Sequence, residues 1–323
     1  MASTGTAYAG RADVMRAADD IAARRDLDPA WVRNALGEAR HLPGVARLMQ
    51  PPAKGFVKNW RVYRSRFIDP VRIGAGVRFW QANRETLERA EREYGVPAEI
   101  IVGIIGVETI YGQQMGNFRV IDALATLAFN FPASHPRAAE RSEYFRGELE
   151  QFLTLQSRMG ADPLLPLGSY AGAMGMPQFM PTSRVNYAVD FDGDGRIDLG
   201  TSAADAIGSV ASYFKAFNWI PGMPTHYPVR FAPDADRGAL LAPDILPTFN
   251  VDRFQALGAV LEGDALQHRG PLAMVELENG PEAPPQYLAG TENFYAITRY
   301  NWSSYYALAV IELGREVKAA LPR

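Results

Sequence analysis

The sequence predicts a mainly α fold of the α+β kind: a helical body with one small strand-bearing insert. Three observations carry that expectation. Apolar residues recur at three- and four-residue steps over most of the chain, the signature of helices packed through one face. From about Pro221 to Gly290 prolines cluster and apolar residues alternate with charged ones, as in HYPVRFAP and AMVELEN, so short strands are expected there. The helical pattern then resumes in TENFYAITRYNWSSYYALAVIELG. The expected division is therefore an N-terminal helical segment (1–75), a helical core with an acidic loop (76–220), the insert (221–290) and a C-terminal helix returning to the core (291–323).

The first helix read from the chain starts at Asp28, an N-cap followed by Pro29, with Val32, Leu36 and Ala39 as its apolar stripe. The stretch from Asn59 to Pro97 has an aromatic-rich lead and then Val77, Trp80, Leu87 and Ala90 near the helical period, and reads as a long amphipathic helix ending at Gly95. A further helix begins at Pro97 and ends near Gly112. Three more cover Glu140 to Ser157, Ala203 to Phe217 and Ser303 to Ala320. Leu164 to Ser183 is uncharged but is broken by Pro166, Pro177 and Pro181 and by three glycines, so it reads as loop or broken helix and not as a membrane span.

Composition narrows the function classes. With 323 residues, 47% of them hydrophobic, the chain can bury a sizeable core, and its net charge of −3 gives no reason to expect nucleic acid as a partner. Cysteine is absent, which excludes disulfides, thiolate metal sites and a cysteine nucleophile. The opening MASTGTAYAG has neither the basic head nor the apolar core of a secretion signal, leaving the compartment open.

The helix from Pro97 holds one anomaly. Glu108 lies three, four and seven residues after Ile105, Ile104 and Ile101, so its carboxylate shares a face with isoleucines. Desolvation and the negative helix C-terminus both disfavour its charged form, which suits a general acid that protonates a leaving oxygen. The alternative is a structural role, with Glu108 paired to an arginine such as Arg119 or to loop amides. A second clue is GSYAGAMGMPQFMPTS, Gly168 to Ser183, where small residues permit close backbone approach and Ser169 and Gln178 offer neutral hydrogen-bonding groups of the kind that suit a sugar. Read alone, it is equally a packed loop whose methionines fill gaps.

In DFDGDGRIDLG, Asp190, Asp192, Asp194 and Asp198 occupy positions one, three, five and nine, with Gly195 at six, as in the first part of a calcium loop. Thr201 stands at position twelve, where a bidentate glutamate is usual, so the EF-hand pattern is incomplete. A solvated acidic turn capping the next helix is the alternative.

Taken together, EIIVGIIGVETIYG, VIDALATLAFNFP, YFRGELEQFL, GSYAGAMGMPQFMPTS, YAVDFDGDG, DAIGSVASYF and NFYAITRYN resemble successive blocks of the lytic transglycosylase B family, in order from about Trp60 to Leu313. The resemblance implies a lysozyme-like helical core, an N-terminal helical domain and a small β domain. It implies cleavage of peptidoglycan between N-acetylmuramic acid and N-acetylglucosamine without water, leaving 1,6-anhydromuramic ends. Glu108 matches the sole catalytic acid, later the base. Ser169, Gln178, Tyr213, Tyr300, Asn301, Tyr306 and Tyr63 match residues facing the sugar, with Tyr213 orienting Glu108 or an N-acetyl group. Tyr306 lies on an apolar helix, where packing is the other explanation.

After LAFNFP the chain carries ASHPRAAERSEYF, longer than the family's short basic turn, and Arg141 is the candidate replacement for its peptide-stem contact. No cofactor is implied for the chemistry. A structural Ca²⁺ or Na⁺ is implied, held by Asp190, Asp192, Asp194, the carbonyl of Arg196 and a closing Asp205, in a loop one residue longer than the family's. The resemblance further implies a periplasmic protein whose partner is the peptidoglycan glycan strand, with other cell-wall enzymes as candidate partners. A lysozyme-type hydrolase and a non-catalytic peptidoglycan-binding scaffold are the rival functions.

Overall fold

The computed structural model describes residues 5–51 and 55–322, which form helices joined by short loops together with three small antiparallel sheets. They fall into two compact units, each assembled from separated stretches of chain: Met1–Lys54, Gly112–Ala188 and Arg196–Ala206 in the first, and Gly55–Tyr111, Val189–Gly195 and Ile207–Arg323 in the second.

The first unit is organised around two helices, Val120–Phe129 and Ala138–Arg158. On the longer one Phe145, Leu149, Phe152 and Leu153 fall on one face and are fully buried, alongside Val120, Leu124 and Leu127 of the shorter. Helices Ala12–Arg25 and Pro29–Glu38 add Val14, Ala18, Val32 and Leu36 to the same core. Asp28 caps the second of these as its sequence requires, accepting from the backbone N–H of Ala30. Two buried polar side chains tie down the segment that follows: Asp122 accepts from the Arg40 N–H and from the Arg119 guanidinium, and the Thr126 hydroxyl accepts from the Leu42 N–H. Arg119 is thus engaged with Asp122. A two-stranded ribbon pairs Phe118 with Gly168 and Arg119 with Leu167, which sets the start of the small-residue loop.

In the second unit the long helix expected from Trp60 to Gly95 is three helices, Trp60–Ser65, Pro70–Ala82 and Arg84–Tyr94. The first break is built into the sequence. Pro70 disfavours helical backbone in the residue before it, and Asp69 accepts from the N–H groups of Val71 and Arg72, starting a new helix. At the second, Asn83 leaves helical geometry at φ −121° and ψ 22° while its side chain donates to the Phe79 carbonyl.

The almost wholly apolar helix Ala98–Thr109 is buried on nearly every side and packs along Ser304–Ala319. Glycine permits that contact. A Cβ on Gly103 would lie 2.2 Å from the Val310 carbonyl oxygen, and one on Gly314 1.9 Å from that of Glu99, so the two helices touch backbone to backbone. The segment after Pro221 is strand-bearing as its texture indicates. A three-stranded sheet has its Gln286–Gly290 strand between His226–Pro228 and Ala273–Leu277, and a two-stranded sheet pairs Arg230–Phe231 with Ala259–Val260. Short helices at Arg237–Leu241 and Val251–Ala256 and a core of Leu240, Phe254, Leu272 and Met274 complete it.

Candidate active site

Glu108 is the penultimate residue of Ala98–Thr109 and is half-buried, whereas its helix neighbours Val107 and Thr109 are buried. The helix ends before Gly112 because Ile110 and Tyr111 both take left-handed backbone, at φ 50° and 57°. For a β-branched residue that conformation is costly, so the surrounding packing must enforce it. The Tyr111 ring supplies this constraint. It packs so closely over Gly76 and Gly106 that a Cβ on either would lie about 2.5 Å from its hydroxyl. Arg72 secures the same end by donating to the Gly106 carbonyl at 3.0 Å, a cation placed at the negative end of the helix.

The Glu108 carboxylate accepts one hydrogen bond, from the Tyr306 hydroxyl at 2.5 Å, and among the described residues it has no ion-pair partner. Burial raises its pKa to about 7, against the smaller lowering effect of the Tyr306 bond. A group poised there is half protonated near neutrality, as a residue that first gives and then takes a proton must be. The arginine pairing considered for Glu108 is therefore not what the structure holds.

Tyr63, Tyr300 and Tyr306 of the same unit lie close enough to this carboxyl to feel its charge, and Tyr213 packs on Tyr300. Tyr300 stacks on Tyr306 with ring planes 15° apart, and Tyr213 lies 4.8 Å from Tyr300. Burial, and then the charge of Glu108, holds the hydroxyls of Tyr300 and Tyr306 well above the usual tyrosine range, so both stay neutral donors. Tyr63, from Trp60–Ser65, packs on Tyr305 and feels the Glu108 charge after its own burial. The hydroxyl bonded to Glu108 belongs to Tyr306, while Tyr213 donates its own to the Arg299 carbonyl at 2.7 Å. Asn301 is exposed at the C-cap of Glu292–Tyr300.

Ser169, Gln178 and Arg141 lie in the first unit. The Ser169 oxygen accepts from the N–H groups of Ala171 and Ala173, which leaves its O–H free to donate. Gln178 sits at φ 52°, and its side-chain N–H₂ donates to the carbonyls of Gly175 and Met115, so its amide oxygen remains as an acceptor. Arg141 lies over the rings of Tyr144 and Phe145, at 5.8 and 5.4 Å.

The carboxylate oxygens of Asp190, Asp192 and Asp194 can converge to within 4.8 Å of one another in the second unit. Backbone N–H groups of Gly193 and Gly195 point at Asp190, and both glycines take positive φ, folding the loop tightly. This clustering of hard oxygen donors fits a calcium-like cation. Of the first unit's residues, Asp205 is buried and accepts from the Asp198 N–H at 2.7 Å. Asp198 spends its carboxylate on the Gly200 and Thr201 N–H groups, as the cap of a turn. Tyr111, Arg72 and the Arg299 carbonyl were not singled out in the sequence, because each acts on the site across long chain separations that no local pattern records.

A family model described as the transglycosylase SLT domain matches residues 10–315. The membrane-bound lytic murein transglycosylase B of Escherichia coli (strain K12) is 41% identical over 325 residues, 98% of this chain and 85% of that protein. Among solved structures, the E. coli lytic transglycosylase Slt35 in complex with calcium has a TM-score of 0.84 at 39% identity, covering 98% of this chain and 96% of that one. SltB3 from Pseudomonas aeruginosa, solved with NAG-anhNAM-pentapeptide, has a TM-score of 0.78 at 30% identity, covering 95% and 81%.

Proposed function

The chain belongs to the transglycosylase SLT domain family and is a lytic murein transglycosylase with that family's lysozyme-like fold; on that premise we propose that Glu108 alone performs both proton transfers of a water-free cleavage. The observation that carries the proposal is the half-buried carboxyl with a pKa of about 7 and a single tyrosine hydroxyl for a partner.

Protonated Glu108 donates to the oxygen joining the N-acetylmuramic acid anomeric carbon to N-acetylglucosamine, and that bond breaks. The carboxylate left behind then removes the proton from the muramyl 6-hydroxyl as its oxygen bonds to the same carbon. The proton count is restored, no water is consumed, and the glycan ends in a 1,6-anhydro ring. Glycosidases that use water ordinarily need two carboxylates; among the described residues the side-chain partner of Glu108 is the Tyr306 hydroxyl and not a second carboxylate. The anhydro sugar in the SltB3 complex supports the same product for this chain.

Ser169, through its free O–H, and Gln178, through its amide oxygen, are assigned to sugar hydroxyl or N-acetyl groups, and Tyr63, Tyr213, Tyr300 and Asn301 to the walls around the cleaved bond. Tyr306 is assigned to hold the Glu108 carboxyl, and Arg141 to a peptide stem. Asp190, Asp192 and Asp194 would hold a structural calcium or sodium ion, in line with the calcium complex of Slt35, and the Arg196 carbonyl and Asp205 are assigned to it by the family resemblance alone. The ion supplies loop stability and no chemistry. Because murein is the substrate, the place of action is the bacterial envelope; no helix among the described residues is long and apolar enough to cross a membrane.

The test is Glu108→Gln, which keeps the shape but cannot donate the proton. It should retain sedimentation with murein sacculi and lose cleavage by roughly 10²–10⁴-fold. Near-normal turnover in that variant would remove Glu108 from the role, and absence of turnover in the wild type would favour a binding scaffold.

A further inference from the structure

A pocket of about 660 Å³ in the second unit, whose lining does not include Glu108, is formed by Trp60, Arg61, Arg64, Asn279, Gln286 and Arg315, with Glu312 and Glu316 at its wall. Two of the helices that build it also carry tyrosines near Glu108. Trp60–Ser65 carries Tyr63, whose hydroxyl feels the Glu108 charge, and Ser304–Ala319 carries Tyr306, which bonds to Glu108. Arg61, Arg64 and Arg315 come from these same helices but line the pocket.

The pocket is held in shape before any ligand arrives. The Trp60 N–H donates to the Glu278 carbonyl at 2.7 Å and the Gly280 N–H to the Lys58 carbonyl at 3.1 Å, which locks the start of one helix to the loop bearing Asn279. Arg64 is clamped by Glu312 and Glu316, so its charge is neutralised and it joins the two helices. Arg61 and Arg315 are exposed and have no ion-pair partner among the described residues, leaving two unspent positive charges in one concavity. The buried Oδ1 of Asn279 has no hydrogen-bond partner, although its Nδ2 donates to the Pro284 carbonyl.

Two free guanidiniums ask for carboxylate, and the side-chain amides of Asn279 and Gln286 on the same lining suit the amide groups of a peptide. A peptide with free carboxylates meets both requirements, and a sugar hydroxyl meets only the second. We propose that this pocket binds the acidic stem peptide of a murein strand, as a second attachment point whose lining does not include Glu108. The proposal rests on the murein-cleaving function above, which makes stem peptides abundant around the protein, and the relative SltB3 is solved with a pentapeptide-bearing sugar. A weak second contact of this kind holds an enzyme on a polymeric substrate between cuts by raising effective concentration.

The experiment is a calorimetric titration of the full chain with a soluble murein stem tetrapeptide freed of glycan, beside the same peptide with its carboxylates amidated. The wild type should bind the free acid at least ten-fold more tightly than the amidated form. Arg61→Ala/Arg315→Ala should lose at least ten-fold in affinity for the acid while keeping the wild-type thermal midpoint, with Arg61→Gln/Arg315→Gln as the substitute if that variant does not fold. Equal affinity in the charge-removed protein, no preference for the free acid, or no binding at millimolar peptide would each overturn the proposal. None of these outcomes touches the murein-cleaving function, whose failure would appear separately as wild-type protein that releases nothing from sacculi.

Discussion

Two glutamates, one in each unit, carry carboxyls whose pKa burial raises, and we assign them different work. Glu148, in the middle of Ala138–Arg158, is 4% exposed and accepts from the Thr182 N–H at 2.9 Å, so it anchors the start of Pro181–Tyr187. Its pKa is raised by burial, while bonds from Thr182 and Tyr144 pull the other way. Glu108 keeps part of its surface open and meets one side-chain hydroxyl. Burial alone therefore does not mark a catalytic acid. What separates the two is whether the carboxylate's hydrogen-bonding capacity is already committed to the fold.

The largest effects should fall on different properties at the two sites. Glu108→Gln should remove activity and gain stability at high pH. Its folded-state pKa of about 7 lies above the ordinary 4.5, so the proton is bound more tightly in the folded state. The stabilisation this gives is fully present below about pH 4.5 and is lost as pH rises through 7. Removing the titrating group should make the variant more stable than the wild type above pH 7, by about 2–3 kcal/mol. Denaturant unfolding at pH 5 and pH 8 measures this, and an identical pH dependence in the two proteins would contradict the buried-acid account. Glu148→Ala, by contrast, leaves the Thr182 N–H without its partner and should cost about 2–3 kcal/mol of stability at neutral pH. A wild-type unfolding curve for that variant would show that Glu148 anchors nothing.

Cation binding gives an effect of similar size but is reversible. Calcium at a hundred times its Kd should stabilise the chain by about 2.7 kcal/mol, and Asp190→Ala/Asp192→Ala should abolish the shift. A thermal midpoint indifferent to both calcium and chelator would dispose of the site. The smallest expected change is at Tyr306. Its hydroxyl lowers the Glu108 pKa, so Tyr306→Phe should move the high-pH fall in kcat upward by about half to one unit and reduce kcat several-fold. A downward move would mean that the bond favours the protonated acid instead.

Glu108 was legible in the sequence because one carboxylate among isoleucines on a helix is a conflict between composition and burial that packing alone does not explain. The acidic loop was legible from its spacing of two, and the insert from the change in period near Pro221. The tyrosines are not legible from spacing, since Tyr300 and Tyr306 look like ordinary core residues in the sequence and only the fold shows the Tyr306 bond to Glu108. The apolar stripe from Trp60 to Gly95 concealed two breaks, although Asp69 and Pro70 spelled out the first. Helix Ala12–Arg25 leaves little trace in the sequence because its buried face of Val14, Ala18, Ile21 and Ala22 is half alanine and contrasts weakly with its surroundings. Contacts such as Arg72 to the Gly106 carbonyl and Tyr213 to the Arg299 carbonyl join residues far apart in the chain, and only the fold records them.

The most direct test of a single acid working without water is the mass of the products released from purified murein sacculi digested in ¹⁸O-labelled water. Anhydromuropeptides free of the label are predicted. Reducing ends carrying ¹⁸O would show that water, and not the muramyl 6-hydroxyl, attacks the anomeric carbon, and would make the protein a lysozyme-type hydrolase.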